Sequence, residues 1–163
     1  MHTIDYVSPL GIIEIKGTEQ GIYSVMFAER EQELYKKQAM TPKVVIQCVE
    51  QLNDYFLGDR IEFTVPYILE GTIFQKSVWQ ALTAVPYGKT ASYKDIAITV
   101  GNEKAVRAVG TTNGKNLVSI IVPCHRIIGV NGKLTGYAGG LWRKEWLLAH
   151  EQKFKEKDKG ANE

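Results

Sequence analysis

Apolar and polar residues alternate in three short stretches at the start of the chain, and this period of two predicts β-strands. The predicted strands cover residues 2–7, 12–16 and 22–27, with turns at 8–11 and 17–21. Farther along, apolar side chains recur at helical spacing at Val45, Cys48, Val49, Leu52 and Phe56. This pattern predicts a helix with Thr41 as its N-cap, Pro42 at its first position and its end before Gly58.

A less regular segment, residues 61–71, separates this region from a series of short helices. The first helix is predicted to begin after Thr72 and to end at residues 86–88. The second begins after Ser92 and ends at Gly101, and the third begins after Asn102 and covers about 103–112. Helix, tight glycine-containing turn and helix is the helix-turn-helix arrangement, although an ordinary three-helix packing unit fits the spacing equally well.

The third of these helices is predicted to have one polar face and several small residues. The polar face carries Lys104, Arg107 and Thr111, while Val106 and Val109 point inward. The small residues are Ala105, Ala108 and Gly110. Because these side chains protrude little from the helix, another backbone or a nucleic-acid duplex could approach the helix closely.

The rest of the chain completes an α+β fold. Residues 118–122 form an apolar run that predicts a buried strand, and Asn131-Gly132 predicts a tight hairpin. A last helix is expected over about 141–152, followed by a frayed tail over 153–163. We therefore predict a domain of residues 1–70, with a small three-stranded antiparallel sheet and one main helix. A mostly helical domain of residues 71–163 follows, with a winged-helix-like helix-turn-helix.

Composition adds an asymmetry to this picture. The 163 residues are 44% hydrophobic and 23% charged, as in ordinary globular proteins, and the net charge is only +2. Residues 1–70 carry 6 basic and 11 acidic side chains, a net of −5, whereas residues 71–163 carry 14 and 7, a net of +7. Such a split can arise by chance from charged residues on solvent-exposed faces. It also fits a polyanionic partner that binds residues 71–163.

The cysteines and the apolar runs indicate the compartment. No apolar run is long enough to span a membrane, and the first residues lack the basic region of a secretory signal. Cys48 lies on an apolar helix face and is predicted to be a buried core thiol. Cys48 and Cys124 form neither a metal-ligand spacing nor a disulfide framework, so we expect a reduced, cytoplasmic environment.

Cys124 has the neighbours that a nucleophilic thiol needs. It follows the apolar run 118–122 and precedes His125 and Arg126, and an imidazole with a positive charge can convert most of a thiol to thiolate. An imidazole base also needs an orienting acceptor, and Glu151 shares the helix face of Leu147. A buried structural Cys-His pair and an exposed Glu151 at a helix end fit the same pattern. His150 is interpreted as structural or exposed.

These residues belong to blocks that resemble one known family. The sequence Pro123-Cys124-His125-Arg126-Ile127-Ile128 resembles the active-site motif of the O6-alkylguanine-DNA alkyltransferases. The resemblance runs from about Phe74 to Glu151 in the family's order and spacing. Its other blocks are 105–110, Asn116, 137–140 and 144–151. Residues 1–70 resemble the family only in their layout of strands and helix.

The resemblance implies direct alkyl transfer from DNA to the protein. Cys124 would accept the alkyl group from O6-alkylguanine, and from O4-alkylthymine as well, once per molecule and without a cofactor. The base would be flipped out of the duplex, with Arg107 filling its place. The helix-turn-helix would enter the minor groove, where Ala105, Ala108 and Gly110 allow close approach and Lys104 and Thr111 contact DNA.

The resemblance also implies the residues of the substrate pocket. Tyr93 matches a tyrosine that donates to the guanine ring, and the carbonyls of Cys124 and Ile127 match acceptors of its exocyclic amine. His125, through a water molecule, and Glu151 would activate the thiol. The remaining pocket residues are Tyr137, Ala138 and Gly139 in a wall loop and Asn116 in a supporting turn. Ala138 stands where some members have serine, so a hydroxyl contact is lost there while a backbone N–H remains.

Partners and alternatives complete the expectations. We expect double-stranded DNA with alkylated guanine as partner, a monomer, no membrane association and no metal, because Cys48 and His2 alone cannot make the zinc site that some members carry. The second domain would thus bind DNA and accept the alkyl group, with the first supporting it. Three alternatives remain: a relative that binds alkylated DNA without reacting, a helix-turn-helix regulator with Cys124 as sensor, and a Cys-His hydrolase of small acyl substrates.

Overall fold

Three antiparallel strands open the chain in the order β1-β2-β3. They are β1 His2–Ser8, β2 Gly11–Thr18 and β3 Gly21–Phe27, as the alternation predicts. The register pairs Ile4 with Ile15 and Ile15 with Val25, so their apolar side chains lie on the same face, where all three are buried. In this computed structural model the described residues are 1–161, with side chains described through residue 155.

Helix α1, Lys43–Leu57, packs against this sheet. Val45, Cys48 and Leu52 are fully buried on it, as the helical spacing predicts. The predicted cap at Thr41 is wrong: Pro42 is the N-cap, and no side chain caps the helix. The Thr41 hydroxyl instead accepts a hydrogen bond of 2.8 Å from the backbone N–H of Gln38. The helix ends at Gly58, whose φ of +83° suits glycine.

The contacts between residues divide the chain into two units. Unit 1 comprises Met1–Leu69 with Leu117–Ile121, and unit 2 comprises Glu70–Asn116 with the residues from 122 onward. The segment Leu117–Ile121 belongs to unit 1 because it contacts β3: Val25 N–H donates to the Leu117 carbonyl at 2.8 Å, and Ser119 N–H donates to the Val25 carbonyl at 3.1 Å. The separate roles of domains 1–70 and 71–163 stay a prediction.

The predicted strand over 118–122 is wrong. Val118 makes one isolated bridge with Val25, and the pairing goes no further. Ile120 has a φ of +71°, which a β-branched residue rarely adopts and which breaks an extended strand. Next to it, Ile121 N–H donates to the Ser119 carbonyl at 2.8 Å within a tight turn. The apolar run is buried, as predicted, but as irregular backbone.

Unit 2 is mainly helical. Helix α2, Ile73–Thr83, and helix α3, Tyr93–Thr99, both begin with capping boxes, at Thr72 with Gln75 and at Ser92 with Asp95. The capping prediction at Thr72 and Ser92 is therefore confirmed. Helix α4 is Val106–Gly114 and helix α5 is Leu141–Ala161. Helices α3 and α4 contact each other across a turn that includes Gly101, with a φ of +86°.

Two helix boundaries differ from the prediction. Helix α4 begins three residues later than expected, because residues 102–105 form a turn in which Ala105 N–H donates to the Asn102 carbonyl at 3.0 Å. Val109 is buried as expected, but Val106 is 37% exposed and does not point inward. Helix α5 continues to Ala161 over most of the predicted tail, of which residues 162 and 163 lie outside the described residues.

A two-stranded parallel sheet replaces the predicted hairpin. Strand β4, Ala91–Ser92, pairs with β5, Ile127–Ile128, so that Ala91 is opposite Ile127 and Ser92 opposite Ile128. The turn at Asn131-Gly132 does form, with Gly132 at a φ of +79° and Gly129 N–H donating to the Lys133 carbonyl at 2.9 Å. No second strand of a hairpin follows it among the described residues. The parallel pair brings the start of α3 next to the residues that follow Cys124.

Candidate active site and nucleic-acid interface

Cys124 is the first residue of a short 3₁₀ turn, Cys124–Arg126. The turn begins after Pro123, and Cys124 N–H donates to the Val122 carbonyl at 2.8 Å. Cys124 therefore does not end a strand, and His125 need not lie on its opposite face. Cys124 is 4% exposed and His125 is fully buried.

Glu151 joins this turn from helix α5. Its Oε2 lies 2.7 Å from His125 Nε2, and both side chains are fully buried. The exposed position considered for Glu151 at a helix end is therefore not the one observed. His150 is 93% buried and stacks on Trp146 with ring centroids 4.9 Å apart, which agrees with a structural role.

Arg126 is a second partner of Glu151, and the sequence did not reveal it. Its Nε donates to Oε1 at 2.8 Å and its Nη2 donates to Oε2 at 3.2 Å. Its Nη1 donates to the Val85 carbonyl at 2.7 Å, and Gly88 N–H donates to Glu151 Oε1 at 3.2 Å. The carboxylate thus accepts from an imidazole, a guanidinium and a backbone amide, which satisfies its buried charge.

These contacts define the protonation states of the pair. Burial raises the pKa of Glu151, but His125 and Arg126 together outweigh burial and hold this pKa below its usual range. Burial lowers the pKa of His125 more than Glu151 raises it. The pair is therefore a carboxylate and a neutral imidazole at pH 7. Because a carboxylate only accepts, the His125 proton is assigned to Nε2.

The other ring nitrogen of His125 is left as a proton acceptor. Nδ1 is buried and has no hydrogen-bond partner among the described residues. A neutral imidazole with Nε2–H bound to a carboxylate has its lone pair on Nδ1. This is the arrangement of a general base that a carboxylate orients.

Cys124 itself is a thiol in this state. Burial raises its pKa above the ordinary value, although the Asn116 side chain, the charge of Lys144 and the backbone N–H groups of the turn oppose burial. A neighbouring imidazole and a positive charge can convert a thiol to thiolate, but at Cys124 burial acts in the opposite direction and outweighs them. A nucleophilic reaction of this sulfur would require removal of its proton.

Two asparagines hold the backbone around the thiol. Asn116 Nδ2 donates to the Val122 carbonyl at 2.9 Å, so Asn116 does support the turn before Cys124. Asn113 Nδ2 donates to the Cys124 carbonyl at 3.3 Å, a contact that the sequence analysis missed. An asparagine in a helix carries no pattern that distinguishes a buried contact from solvent exposure.

Tyr93, Ile127 and the loop of residues 129–140 lie near the Cys124 turn. Tyr93 is the first residue of α3, directly after the strand β4 that pairs with Ile127–Ile128. Its hydroxyl lies 2.8 Å from Thr135 Oγ1 in that loop. Lys144 Nζ donates to the carbonyls of Ile127 at 2.6 Å and Thr135 at 2.8 Å. Neither Thr135 nor Lys144 was predicted as a site residue.

The end of the loop is held by its own turn and by α5. Gly140 N–H donates to the Tyr137 carbonyl at 2.8 Å, and Gly140 has a φ of +91°. Arg143 Nη1 donates to the Gly139 carbonyl at 3.0 Å. Ala138, between them, is exposed.

Helix α4 and the turn before it carry the predicted DNA-contacting residues on the surface. Lys104, Arg107 and Thr111 are all exposed, and with Ala105 and Ala108 they line a groove that also includes Thr72 and Phe74 of the α2 start. A Cβ placed on Gly110 would lie 3.7 Å from the Tyr93 ring, which is an ordinary contact. Gly110 therefore lies next to the Tyr93 ring.

Other kinds of site find no support in the described part of the chain. No group of three or more His, Cys, Asp or Glu side chains there could hold a metal ion. Cys48 and Cys124 are both free cysteines. Over the same residues, no helix combines the length and apolarity needed to cross a bilayer.

Comparison with known proteins gives one consistent result. Residues 73–153 match the model of the 6-O-methylguanine DNA methyltransferase DNA-binding domain, and residues 1–68 match that of the same family's ribonuclease-like domain. A Methanosarcina acetivorans protein named methylated-DNA–protein-cysteine methyltransferase is 46% identical over 158 residues, covering 93% of this chain and 98% of that protein. A Mycolicibacterium paratuberculosis protein of the same name is 43% identical over 152 residues, covering 93% and 91%.

The fold comparison agrees. The crystal structure of Mycobacterium tuberculosis OGT in complex with DNA superimposes with a TM-score of 0.85 at 42% sequence identity, covering 94% of each chain. The O6-methylguanine-DNA methyltransferase of Pyrococcus kodakaraensis gives a TM-score of 0.55 at 20% identity and supports the fold alone. The predicted α+β fold is confirmed by the three-stranded sheet and by these neighbours.

Proposed function

The chain belongs to the 6-O-methylguanine DNA methyltransferase family, and we propose on this premise that it repairs DNA by moving an alkyl group onto its own Cys124. It thereby acts as a methylated-DNA–protein-cysteine methyltransferase, the name that its relatives carry. The observation that supports this most directly is the buried His125, which follows the buried Cys124 in one turn and lies 2.7 Å from the Glu151 carboxylate of helix α5. A thiol with an oriented base beside it is equipped as a nucleophile.

The proposed reaction conserves its atoms and electrons without a cofactor. The Cys124 proton passes to His125 Nδ1 through a water molecule, and Glu151 stabilises the resulting imidazolium. The sulfur then forms a bond to the alkyl carbon while the bond from that carbon to guanine O6 breaks. The electron pair leaves with guanine, which takes up the proton that the thiol gave away. The products are unmodified guanine and a thioether on Cys124.

The thioether limits the protein to one reaction. A thioether has no ionisable proton and is a poor leaving group, so Cys124 does not return to a thiol. One molecule therefore repairs one lesion. O4-alkylthymine offers the same alkyl–oxygen bond and is the second proposed substrate.

Substrate binding requires the alkylated base to leave the duplex. Flipping costs a few kcal/mol and costs less for a damaged, weakly paired base. In the pocket, Tyr93 donates to the guanine ring as charge develops on the leaving base. The carbonyls of Cys124 and Ile127 accept hydrogen bonds from the exocyclic amine of guanine, and Asn116 supports the Cys124 turn. One side of the pocket is formed by a loop that also offers a backbone N–H to guanine O6; its residues are Tyr137, Ala138 and Gly139.

The surface of α4 is the proposed DNA interface. Helices α3 and α4 act as a helix-turn-helix in the minor groove. The small side chains of Ala105 and Ala108, together with Gly110, permit the DNA to approach the helix closely. Arg107 is exposed and fills the place of the flipped base. Lys104 and Thr111 contact the DNA beside it. The known DNA complex of Mycobacterium tuberculosis OGT supports this general role.

The remaining proposals concern the state of the protein. We propose that it acts as a monomer in the cytoplasm, where Cys48 and Cys124 stay reduced. Unit 1 has a supporting role, and its Cys48 does not accept the alkyl group, since this thiol is fully buried and burial raises its pKa to about 12.

Mass spectrometry after reaction with a duplex that contains O6-methylguanine tests this function. We expect the Cys124 peptide to gain one methyl group per protein molecule, the Cys48 peptide to gain none, and the DNA to become unmodified. Transfer should stop after one equivalent, however long the incubation. A duplex with ordinary guanine is the control.

Three other outcomes would contradict the proposal in different ways. Tight binding to the damaged duplex without methyl gain indicates a non-reacting relative. Sequence-specific binding to undamaged DNA indicates a regulator. Repeated turnover of an activated ester without DNA indicates a hydrolase.

A further inference from the structure

Lys144 is an unusual lysine because it is fully buried. Lysine is almost never fully buried unless it is paired, since transfer of an ammonium group out of water is costly. Among the described residues, no carboxylate forms an ion pair with Lys144; its Nζ donates instead to the backbone carbonyls of Ile127 and Thr135. Burial lowers its pKa to about 8, and the nearby Cys124 opposes this effect.

The two carbonyl partners belong to different parts of the pocket. Ile127 begins β5, directly after the Cys124 turn, and Thr135 lies in the loop of residues 129–140. With bonds of 2.6 and 2.8 Å, one ammonium group ties that loop to the end of the turn. Hydrogen bonds from a charged donor are stronger than those between neutral groups.

Thr135 extends this connection to Tyr93. Its backbone carbonyl is held by Lys144, and its hydroxyl lies 2.8 Å from the Tyr93 hydroxyl. The position of the Tyr93 hydroxyl therefore depends on a loop residue that Lys144 anchors. A carbonyl oxygen has two lone pairs, so the Ile127 carbonyl can accept from a second group besides Lys144.

We propose that Lys144 is a positioning residue for alkyl transfer, which clamps the 129–140 loop onto the Cys124 turn and so places the Ile127 carbonyl and the Tyr93 hydroxyl for the base. This inference rests on the proposed function. A buried cation is a poor way to stabilise a core, because burying its charge costs free energy, whereas an apolar side chain of similar length fills the same space without that cost.

The test measures single-turnover methyl transfer at increasing concentrations of an O6-methylguanine duplex. This experiment separates the rate constant at saturation from the DNA concentration at half-saturation. Lys144→Met keeps the length of the side chain but cannot donate, and Lys144→Gln keeps a neutral donor for the carbonyls. Lys153→Met is the matched control, because Lys153 is an exposed lysine of the same helix.

We expect Lys144→Met to lower the saturating rate roughly 10- to 100-fold, as small misplacements of reacting groups do. The DNA concentration at half-saturation should stay within about threefold of the wild-type value, because a buried lysine cannot contact the DNA backbone. Lys144→Gln should recover part of the rate, and Lys153→Met should match wild type. A merely structural lysine would lower the melting temperature without this selective loss of rate and partial rescue.

Each other outcome overturns a defined statement. If wild type itself transfers no methyl group, the proposed function fails. If wild type reacts and Lys144→Met reacts at the same saturating rate, or loses only DNA affinity, the clamp fails while the function stands. If neither Lys144 variant unfolds cooperatively, whereas Lys153→Met does, the lysine supports the core and the clamp is also rejected.

Discussion

The two cysteines are similarly buried but lie in different surroundings, one in each unit. Cys48 faces the sheet from helix α1, and Cys124 begins the turn that Glu151 and Lys144 approach; they are 0% and 4% exposed. Burial alone acts on Cys48 and raises its pKa to about 12. At Cys124 burial also raises the pKa, but the Asn116 side chain, Lys144 and the backbone N–H groups oppose it. Burial raises the pKa of both thiols, so the polar groups around the sulfur, and not burial, distinguish the two cysteines.

The two best-paired carboxylates extend this comparison. In unit 1, Asp5 accepts from Arg30 at 2.6 and 2.8 Å and from the backbone N–H groups of Leu34 and Tyr35. In unit 2, Glu151 also accepts from an arginine and a backbone N–H, but one of its partners is an imidazole. Asp5 fastens a surface segment, whereas Glu151 orients a group that can take up a proton.

Replacing either cysteine tests the comparison most severely. Cys124→Ala should abolish methyl transfer while damaged DNA still binds, because the nucleophile is lost and the surface of α4 is unchanged. Cys48→Ala should leave the transfer rate within about twofold and lower stability by about 1–2 kcal/mol, the cost of a small cavity. Protein mass after reaction, together with chemical denaturation, measures both effects. Methyl transfer by Cys124→Ala would show that another residue is the acceptor.

Replacing the carboxylate should have the next largest effect. Glu151→Gln leaves the Arg126 guanidinium buried without its counter-charge and replaces one of the two accepting oxygens, which bind His125 and Arg126, with an NH₂ group that can only donate. We expect transfer to slow by about 10³-fold or more and stability to fall by about 3–5 kcal/mol.

Glu145→Gln is the control for this change, because Glu145 is exposed on the same helix α5. The free energy of unfolding of Glu145→Gln should stay within about 0.5 kcal/mol of the wild-type value. Single-turnover kinetics at a temperature where both variants are folded separates the two effects. Equal rates for the two variants would remove Glu151 from the mechanism.

Acid should affect unit 2 at a higher pH than unit 1. The pKa of His125 in the native state is lowered below 6.5. As the pH falls below 6.5, the unfolded chain therefore binds a proton at His125 that the native state does not bind, and the free energy of unfolding decreases. Glu151, with a pKa lowered below 4.5, adds a second loss of stability below that pH. In unit 1 the corresponding loss comes from Asp5 and begins only below 3.8.

Tryptophan fluorescence can follow this acid effect in unit 2, because Trp79, Trp142 and Trp146 all lie there. The melting temperature from fluorescence should fall progressively from pH 6.5 to 4.5. A melting temperature constant over this range would mean that His125 is not held neutral in the native state.

The sequence predicts this molecule best where local rules decide. The strands, the N-caps at Thr72 and Ser92 and the end of α1 before Gly58 follow from short-range patterns. Glu151 could be proposed as the partner of His125 because it shares a helix face with Leu147, which is fully buried. The apolar run 118–122 misled the strand prediction, because the positive φ of Ile120 depends on tertiary contacts and not on residue type.

The supporting residues of the site could not be read from the sequence. Lys144 and Asn113 bind backbone carbonyls, which any residue provides, at separations of 17 and 11 residues for Ile127 and Cys124. Arg126 follows His125 directly, yet its second role with Glu151 appears only when α5 is in place. Lysine, asparagine and arginine are usually exposed, so no local pattern marks these three as buried.

The Glu151 carboxylate has a consequence for how the protein is made. It joins chain segments that lie 63, 26 and 25 residues before it, at Gly88, His125 and Arg126. During synthesis Cys124 therefore leaves the ribosome well before the acceptor that orients its base. In a nascent chain His125 lacks its carboxylate partner, and the buried His125–Glu151 pair forms only after residue 151 has been added and α5 has docked. Assembly of this pair is thus coupled to the completion of this part of the polypeptide.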